Sequence, residues 1–581
     1  WKVKNLESYT GKAHLNDLTE NLNVNLFLLK GLQFKGQFSI TKTENKSESF
    51  VDPKDPTFEN STLRDKGSLS LSRADNYSWN VNAMLYYNNQ LNNHYINAVA
   101  GVNVQESRGE SSSMKFRGFQ LGSLHSSAYA AKQENKTNVS STESRLIGFL
   151  ASLNYTYNNI YLLDASFRLD GSSQFGSDKR FAPFWSVGVG INVHNYEWLK
   201  DNWLLSSLRV RGSYGSTGKV NFPSYTAVTT YATDVDSWYY TGSASSLKYL
   251  GNPRLTWETT NTLDVGFSLG FLNDLFYLEA SYYHKETRDL IDEVSIRSSS
   301  GFTSYQTNNG AIVNKGFEIQ LNTTVYRDKD WMVTVNANLG ANKNEITELG
   351  EDIQAYNKKL NDNYDAAWPD YVDLQTTPLI QYYVGASTSA IYAVRSAGID
   401  PSNGKEKFIK KGGTSTYTWS ANDQVVVGDN NPSAQGSLGL NLSFRGFYLN
   451  ASFMYQWGAQ TYNSTLLNKV ENARVASENV DRRLISERWK KPGDVAPFYD
   501  LKNTTTTKPT SRFVQDYNYF NFTGLSCGYD FNQKLISRWR LKSLGLRFNM
   551  NDLCRWSTVK EERGTNYPYS KNYSFTLSLG F

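Results

Sequence analysis

The chain is poor in the residues that enzyme and disulfide-scaffold arguments need. It holds 2 cysteines in 581 residues, Cys527 and Cys554. Two excludes a disulfide framework and a multi-cysteine zinc site, and leaves open whether they bridge each other. Charged residues are only 20% and the net charge is +5, so neither polyelectrolyte disorder nor a nucleic-acid footprint is indicated. No run of 18 apolar residues occurs, which excludes a membrane-spanning helix. The five histidines (His14, His94, His125, His194, His284) are far apart, with no HExxH and no paired ligand spacing. Gly215 to Lys219 is a faint phosphate-loop echo. Ser213 stands where the first glycine belongs, and Val220 replaces the magnesium-binding Ser/Thr. Asp400 to Gly404 has the start of a calcium loop without its remaining ligands, and reads as a turn. The chain is therefore not expected to be an enzyme, and no cofactor or metal is expected.

Aromatics are abundant at 14%, with 38 tyrosines, and there are 41 glycines. A mean hydropathy of −0.54 does not oppose a membrane barrel, because only every second strand residue must face lipid. Strict alternation is everywhere. Tyr573, Phe575, Leu577, Leu579 and Phe581 share one face, while Ser574, Thr576 and Ser578 share the other. Leu263, Val265, Phe267, Leu269 and Phe271 repeat the pattern. So do Phe317, Ile319 and Leu321, then Trp331 to Ala341, and Phe447 to Trp457. Period-2 alternation puts apolar side chains on one side of a strand. About 18 such strands are expected, with soft boundaries. Rings at the ends of apolar faces, such as Tyr155, Tyr157, Tyr455 and Trp457, suit a lipid–water boundary.

Connections alternate in length. Short ones include Asn158-Asn159, Leu272-Asn273-Asp274, Arg327 to Asp330, and Arg445-Gly446. Long polar ones lie near 43–66, 107–143, 218–256, 288–310, 344–378, 398–433 and 458–512. Short periplasmic turns and long extracellular loops predict an all-β fold, a transmembrane antiparallel β-barrel of the outer membrane. The final strand, ending at Phe581, is expected to be read by the outer-membrane assembly machinery.

Five segments carry a family likeness. They are Asp164 to Gly176 with Arg180 and Phe184 to Gly188, Leu208 to Gly218, and Asn252 to Thr260 with Asp264 to Phe267. The others are Tyr282 to Leu290 with Gly301-Phe302 and Asn314 to Glu318, and Ala397 to Gly404 with Gly428-Asp429 and Pro432. In this order and strand context they resemble the SusC/RagA family of TonB-dependent outer-membrane transporters of Bacteroidetes. The resemblance implies a 22-stranded barrel around an N-terminal plug, a SusD-like surface lipoprotein as lid, and energy from the TonB complex. Nothing here looks like the plug or TonB box. Residues 1–581 are therefore read as the barrel portion, with the plug and first strands expected upstream of Trp1 or on another chain.

The implied function is energised uptake of an oligosaccharide or oligopeptide across the Gram-negative outer membrane. The alternatives are a passive porin and a scaffold that anchors surface lipoproteins. Trp238, Tyr239, Tyr240, Trp368 and Trp419 lie in the long loops. They can stack on sugar or peptide, or tie loops to one another or to the lid. Basic loop stretches such as Lys405 to Lys411 read as solvated faces or contacts to lipopolysaccharide.

Overall fold

A computed structural model describes residues 9–581, apart from 201, 221, 296–303, 351–352, 354–355, 359, 362–375, 474, 476–479, 504 and 561–570. Its wall consists of β1 Tyr9–Leu29, β2 Leu32–Val51, β3 Ser68–Leu91, β4 His94–Arg117, β5 Asn138–Tyr157 and β6 Tyr161–Ser172. It continues through β7 Phe181–Asn192, β8 Leu205–Lys219, β9 Glu258–Phe271, β10 Phe276–Arg288, β11 Ala311–Arg327 and β12 Trp331–Glu348. It finishes with β13 Ala434–Phe444, β14 Phe447–Tyr462, β15 Val514–Asp530, β16 Ser543–Ser557 and β17 Tyr573–Gly580.

Each of these strands pairs antiparallel with the next, an up-and-down meander. The two-residue strand Lys132–Gln133 beside β4 brings the sheet to 18 strands, which agrees with the expected number. Among the described residues no ladder joins β1 to β17.

The register turns sequence alternation into two faces. Val265, Tyr282, Phe317 and Ala341 stand abreast across β9 to β12. The next row, Gly266, Ser281, Glu318 and Gly340, faces the other way. Apolar rows lie outward with no second layer over them: Phe575 is 81% exposed and Phe149 47%. Rings near the short-turn rim form a belt, where Tyr157, Tyr161, Tyr196 and Trp198 follow one another at centroid spacings of 6.3, 6.4 and 6.4 Å.

The short turns need left-handed backbone. Asn158 and Asn159 have φ of 55° and 56°, which asparagine tolerates better than most residues. Gly446 has φ 91°, and a Cβ there would lie 2.5 Å from the Asp530 carbonyl oxygen. A backbone hydrogen bond holds the two residues this close: the Asp530 N–H donates to the Gly446 carbonyl at 2.8 Å.

Of the segments read as loops, 218–256, 288–310 and 398–433 hold short strands of their own, and 43–66 and 107–143 are partly wall strand. β2 runs on to Val51, β4 to Arg117, and β5 begins at Asn138. β1 to β5 are 20 to 24 residues long, whereas about 9–11 cross a bilayer. Above the lipid both faces are wet, so the ladder continues while the apolar alternation stops. At its outer end this tall side buries Phe50, Leu69 and Phe119 beneath the 52–67 and 118–137 connections. Cys527 lies opposite Phe548 and Cys554 opposite Phe522 along the same ladder. That separation is about 20 Å, far beyond disulfide reach.

Candidate binding surfaces on the rim and lumen wall

The inward face of the wall is polar and divides by charge. On β2 to β5 it presents hydroxyls and amides, including Thr41, Asn45, Ser78, Asn103 and Thr142. Asn103 Nδ2 donates to Asn82 Oδ1 at 2.6 Å. On β6 to β11 it carries ions: Arg168 Nε lies 2.5 Å from Asp170 Oδ1, and Arg211 Nε lies 4.0 Å from Asp264 Oδ1. Arg211, Glu279, Glu318, Gln320 and Asn338 line a concave pocket of about 600 Å³ there. Gly215 to Lys219 lies inside β8, so the phosphate-loop echo is plain strand.

Above the wall, family-like segments distant in sequence meet. Phe175 and Trp257 are 4.4 Å apart, and Phe184 and Trp257 are 5.5 Å apart. With Phe222 and Leu255 they form a buried cluster. The Gly176 N–H donates to the Leu255 carbonyl at 3.2 Å, and a Cβ at Gly176 would collide with the Pro253 carbonyl. These motif residues therefore shape the rim.

A second outer unit joins two long loops. Ala390–Ile399, Glu406–Ile409, Ser415–Thr416 and Gln424–Asp429 form a small sheet. The described residues of 463–513 pack beside it around Leu466, Leu467, Val470, Leu484, Phe498 and Phe513. Arg512 ties the two together. Its Nη2 donates to Glu406 Oε2 at 2.8 Å, and it also pairs with Glu471. Burial raises the Glu471 carboxyl above the usual range, and Arg512 opposes that rise. Burial also works against the Arg512 charge, but Glu406 and Glu471 outweigh it and hold its pKa above the ordinary value. Arg512 is a fixed cation shared by Glu406 and Glu471. Tyr499, pushed up to about 12 by burial, bonds the Thr507 hydroxyl at 2.6 Å and donates to the Thr505 carbonyl at 2.8 Å.

The candidate aromatics fall on separate units. Trp419 Nε1 donates to the Pro509 carbonyl at 3.0 Å, with Lys508 Nζ 4.8 Å from its ring, a loop-to-loop contact inside the second unit. Tyr239 and Tyr240 stand where the Thr230–Tyr239 and Gly242–Tyr249 strands of a projecting hairpin turn. They are 72% and 106% exposed. Trp238 is in the same hairpin, but its side chain lies outside the described residues, as does Trp368. Sequence reasoning missed Arg512, Glu406 and Glu471, which look like ordinary loop charges and follow no spacing rule. The Asp400 carboxylate serves its own turn: it accepts from the Ser402 N–H at 2.8 Å and the Tyr417 hydroxyl at 2.6 Å.

The profile of the family described as TonB dependent receptor-like, beta-barrel, matches residues 5–553. The chain belongs to that family. TonB-dependent receptor P26 of Formosa agariphila is 23% identical over 594 residues, covering 97% of this chain and 57% of that protein. TonB-dependent receptor SusC of Bacteroides thetaiotaomicron is 26% identical over 492 residues, covering 80% of this chain and 45% of that one. The solved RagAB peptide transporter superposes with a TM-score of 0.84 at 22% identity, over 99% of this chain and 63% of that one. This TonB-dependent receptor barrel thus has the SusC/RagA relatives that its five segments indicate, and the outer membrane as its location. The family is one of transporters and receptors, not an enzyme class. The chain spans about half the length of the curated relatives it matches.

Proposed function

We propose that this barrel forms the wall and outer loops of an energised importer of a large nutrient, an oligosaccharide or oligopeptide. The observation that carries the reading is a wide meander, greasy outside and polar inside, in a TonB-dependent receptor fold. Among the described residues the outer edges of β1 and β17 have no ladder partner, which supports further strands on polypeptide beyond this chain; the plug is read as lying there too. An open sheet edge in lipid leaves backbone groups without partners. The plug would couple the wall to the TonB complex. A SusD-like lipoprotein would close over the rim, and the exposed Tyr239-Tyr240 hairpin supports a lid contact there, with Trp238 beside it. Trp419 is read as a loop anchor, and Trp368 stays a candidate for substrate or lid.

The test is uptake of oligosaccharides and oligopeptides by cells that keep the barrel but lack the TonB-coupling protein. Loss of uptake supports energised import. Undiminished uptake, with a large steady current through the purified complex, would instead establish a porin. Normal uptake on deleting the barrel itself, with surface lipoproteins lost, would establish a scaffold.

A further inference from the structure

The outward face differs in charge between the two sides of the wall. On β3 to β5 one outward row above the apolar stretch is Trp79, Glu106 and Arg145. Its charges are paired: Arg145 lies 3.3 Å from Glu106 and 2.5 Å from Glu143. Arg73, one turn of the ladder further out, is held by Glu44 and Asp75 at 3.1 and 2.7 Å. This side is neutralised from within.

On β10 to β12 the outward row above the apolar stretch is His284, Lys315 and Lys343, three basic side chains abreast. The row below, Tyr282, Phe317 and Ala341, is apolar. On β12 the outward apolar face runs from Trp331 to Ala341, about the length that crosses a bilayer, which puts the basic row at headgroup height. Its acids are few. Glu345 lies 3.4 Å from Lys343, and Glu286 is engaged by Arg288 at 2.8 Å. Among the described residues neither Lys315 nor His284 has an ion-pair partner.

A cleft of about 1050 Å³ opens beside this row. Lys315 and Lys343 line it together with Tyr282 and Phe317 on the wall side, and Val384 and Val426 across from them. Phe317, Val384 and Val426 are 55%, 63% and 50% exposed. The far side is held in place. The Gly385 N–H donates to the Ile346 carbonyl, and the Ile346 N–H to the Ala386 carbonyl, both at 2.8 Å. Asp429, the acid in the lining, accepts from the Ser389 hydroxyl at 2.6 Å and the Asn431 N–H at 2.9 Å.

We propose that this cleft holds a phosphorylated glycolipid of the outer leaflet. Its phosphate sits between Lys315 and Lys343 with His284 as a further donor, and an acyl chain lies along Tyr282, Phe317 and Val384. A cation pair at headgroup height fits phosphate. The apolar floor directly beneath has no use for a free anion but suits a chain rooted in the bilayer.

The transporter is purified whole from outer membranes, delipidated, and titrated with phosphorylated lipid A, the same lipid after dephosphorylation, and inorganic phosphate. Binding is read by native mass spectrometry. K315Q/K343Q is expected to bind phosphorylated lipid A about tenfold or more weakly than the native protein does. Dephosphorylated lipid A should bind the native protein comparably weakly. R108Q, which removes a cation already held by Glu110 at 2.6 Å, should bind as the native protein does. Heat-dependent gel mobility confirms that each variant is a folded barrel. Equal binding of the two lipids, an unchanged K315Q/K343Q, or an equal loss in R108Q overturns the proposal. So does tight binding of inorganic phosphate alone, which would mark a small-anion site.

Discussion

Arg512 holds Glu406 and Glu471 from two different loops, and its side chain is only 10% exposed. Removing one partner of a buried ion pair strands the other, at a cost of about 3–5 kcal/mol. Arg512→Met is therefore expected to open the outer unit while the wall stays folded. On intact cells, trypsin should cut after Lys490 and Lys502 in the variant and spare them in the native protein. Adding Glu406→Gln and Glu471→Gln should restore part of the protection, since no bare carboxylate remains. Asp400 gives a pH test. Hydrogen bonds from the Ser402 hydroxyl, the Tyr417 hydroxyl and the Ser402 N–H lower its pKa from 3.8 to about 2. A depressed carboxylate adds stability that is present above its unfolded value and is lost as pH falls through the folded one. Pepsin should leave the 400–417 turn intact at about pH 3 and cut it nearer pH 1.5. Asp400→Asn should be cut at both.

Single strands show which physical signals a sequence carries. β17 was readable to within one residue at each end, because lipid demands a greasy side chain at every second position and water accepts the small polar ones between. The outer halves of β2 and β4 were not. There Lys42, Glu44 and Lys46 face out while Thr41, Thr43 and Asn45 face in, and a ladder wetted on both sides has no apolar period to read. The outer unit was illegible for another reason: Leu466, Leu467, Val470, Leu484, Phe498 and Phe513 converge without strand or helix spacing. Of the candidate aromatics, their loop positions were legible and their partners were not, since the Trp419 partner, Pro509, is set by tertiary packing alone. Turn chemistry was legible. Gly446→Ala places a Cβ against the Asp530 carbonyl at positive φ, so the β13–β14 hairpin should lose about 1 kcal/mol or more. Urea titration of the barrel refolded in vesicles would show the loss. The hairpin bearing Tyr239 and Tyr240 makes a different kind of prediction. Tyr239→Ser/Tyr240→Ser should leave the barrel's heat-dependent gel mobility unchanged and reduce the amount of lipoprotein that co-purifies; an unchanged yield would place the lid contact elsewhere.

The whole molecule is lopsided. β1 to β5 rise well past the lipid, with outward ion pairs and an inward lining of hydroxyls and amides. β6 to β12 are 12 to 18 residues long and carry ions on the inner face, with the basic row of β10 to β12 on the outer one. A tall lining rich in hydroxyls and amides beside a shorter one rich in ions gives the mouth two chemically distinct sides. Cargo entering there would meet hydrogen-bonding groups first along one wall and ions lower on the other. This geometry depends on which rim faces out. Every short connection, from Asn158-Asn159 to Arg445-Gly446, lies on one rim, and the outer units and the Tyr239-Tyr240 hairpin lie on the other. An epitope inserted in the 118–137 connection should bind antibody on intact cells. The same epitope at Asn158-Asn159 should be reached only after the outer membrane is permeabilised. The opposite result would put the tall wall in the periplasm, where neither a surface lid nor an outer-leaflet phosphate could reach the residues assigned to them.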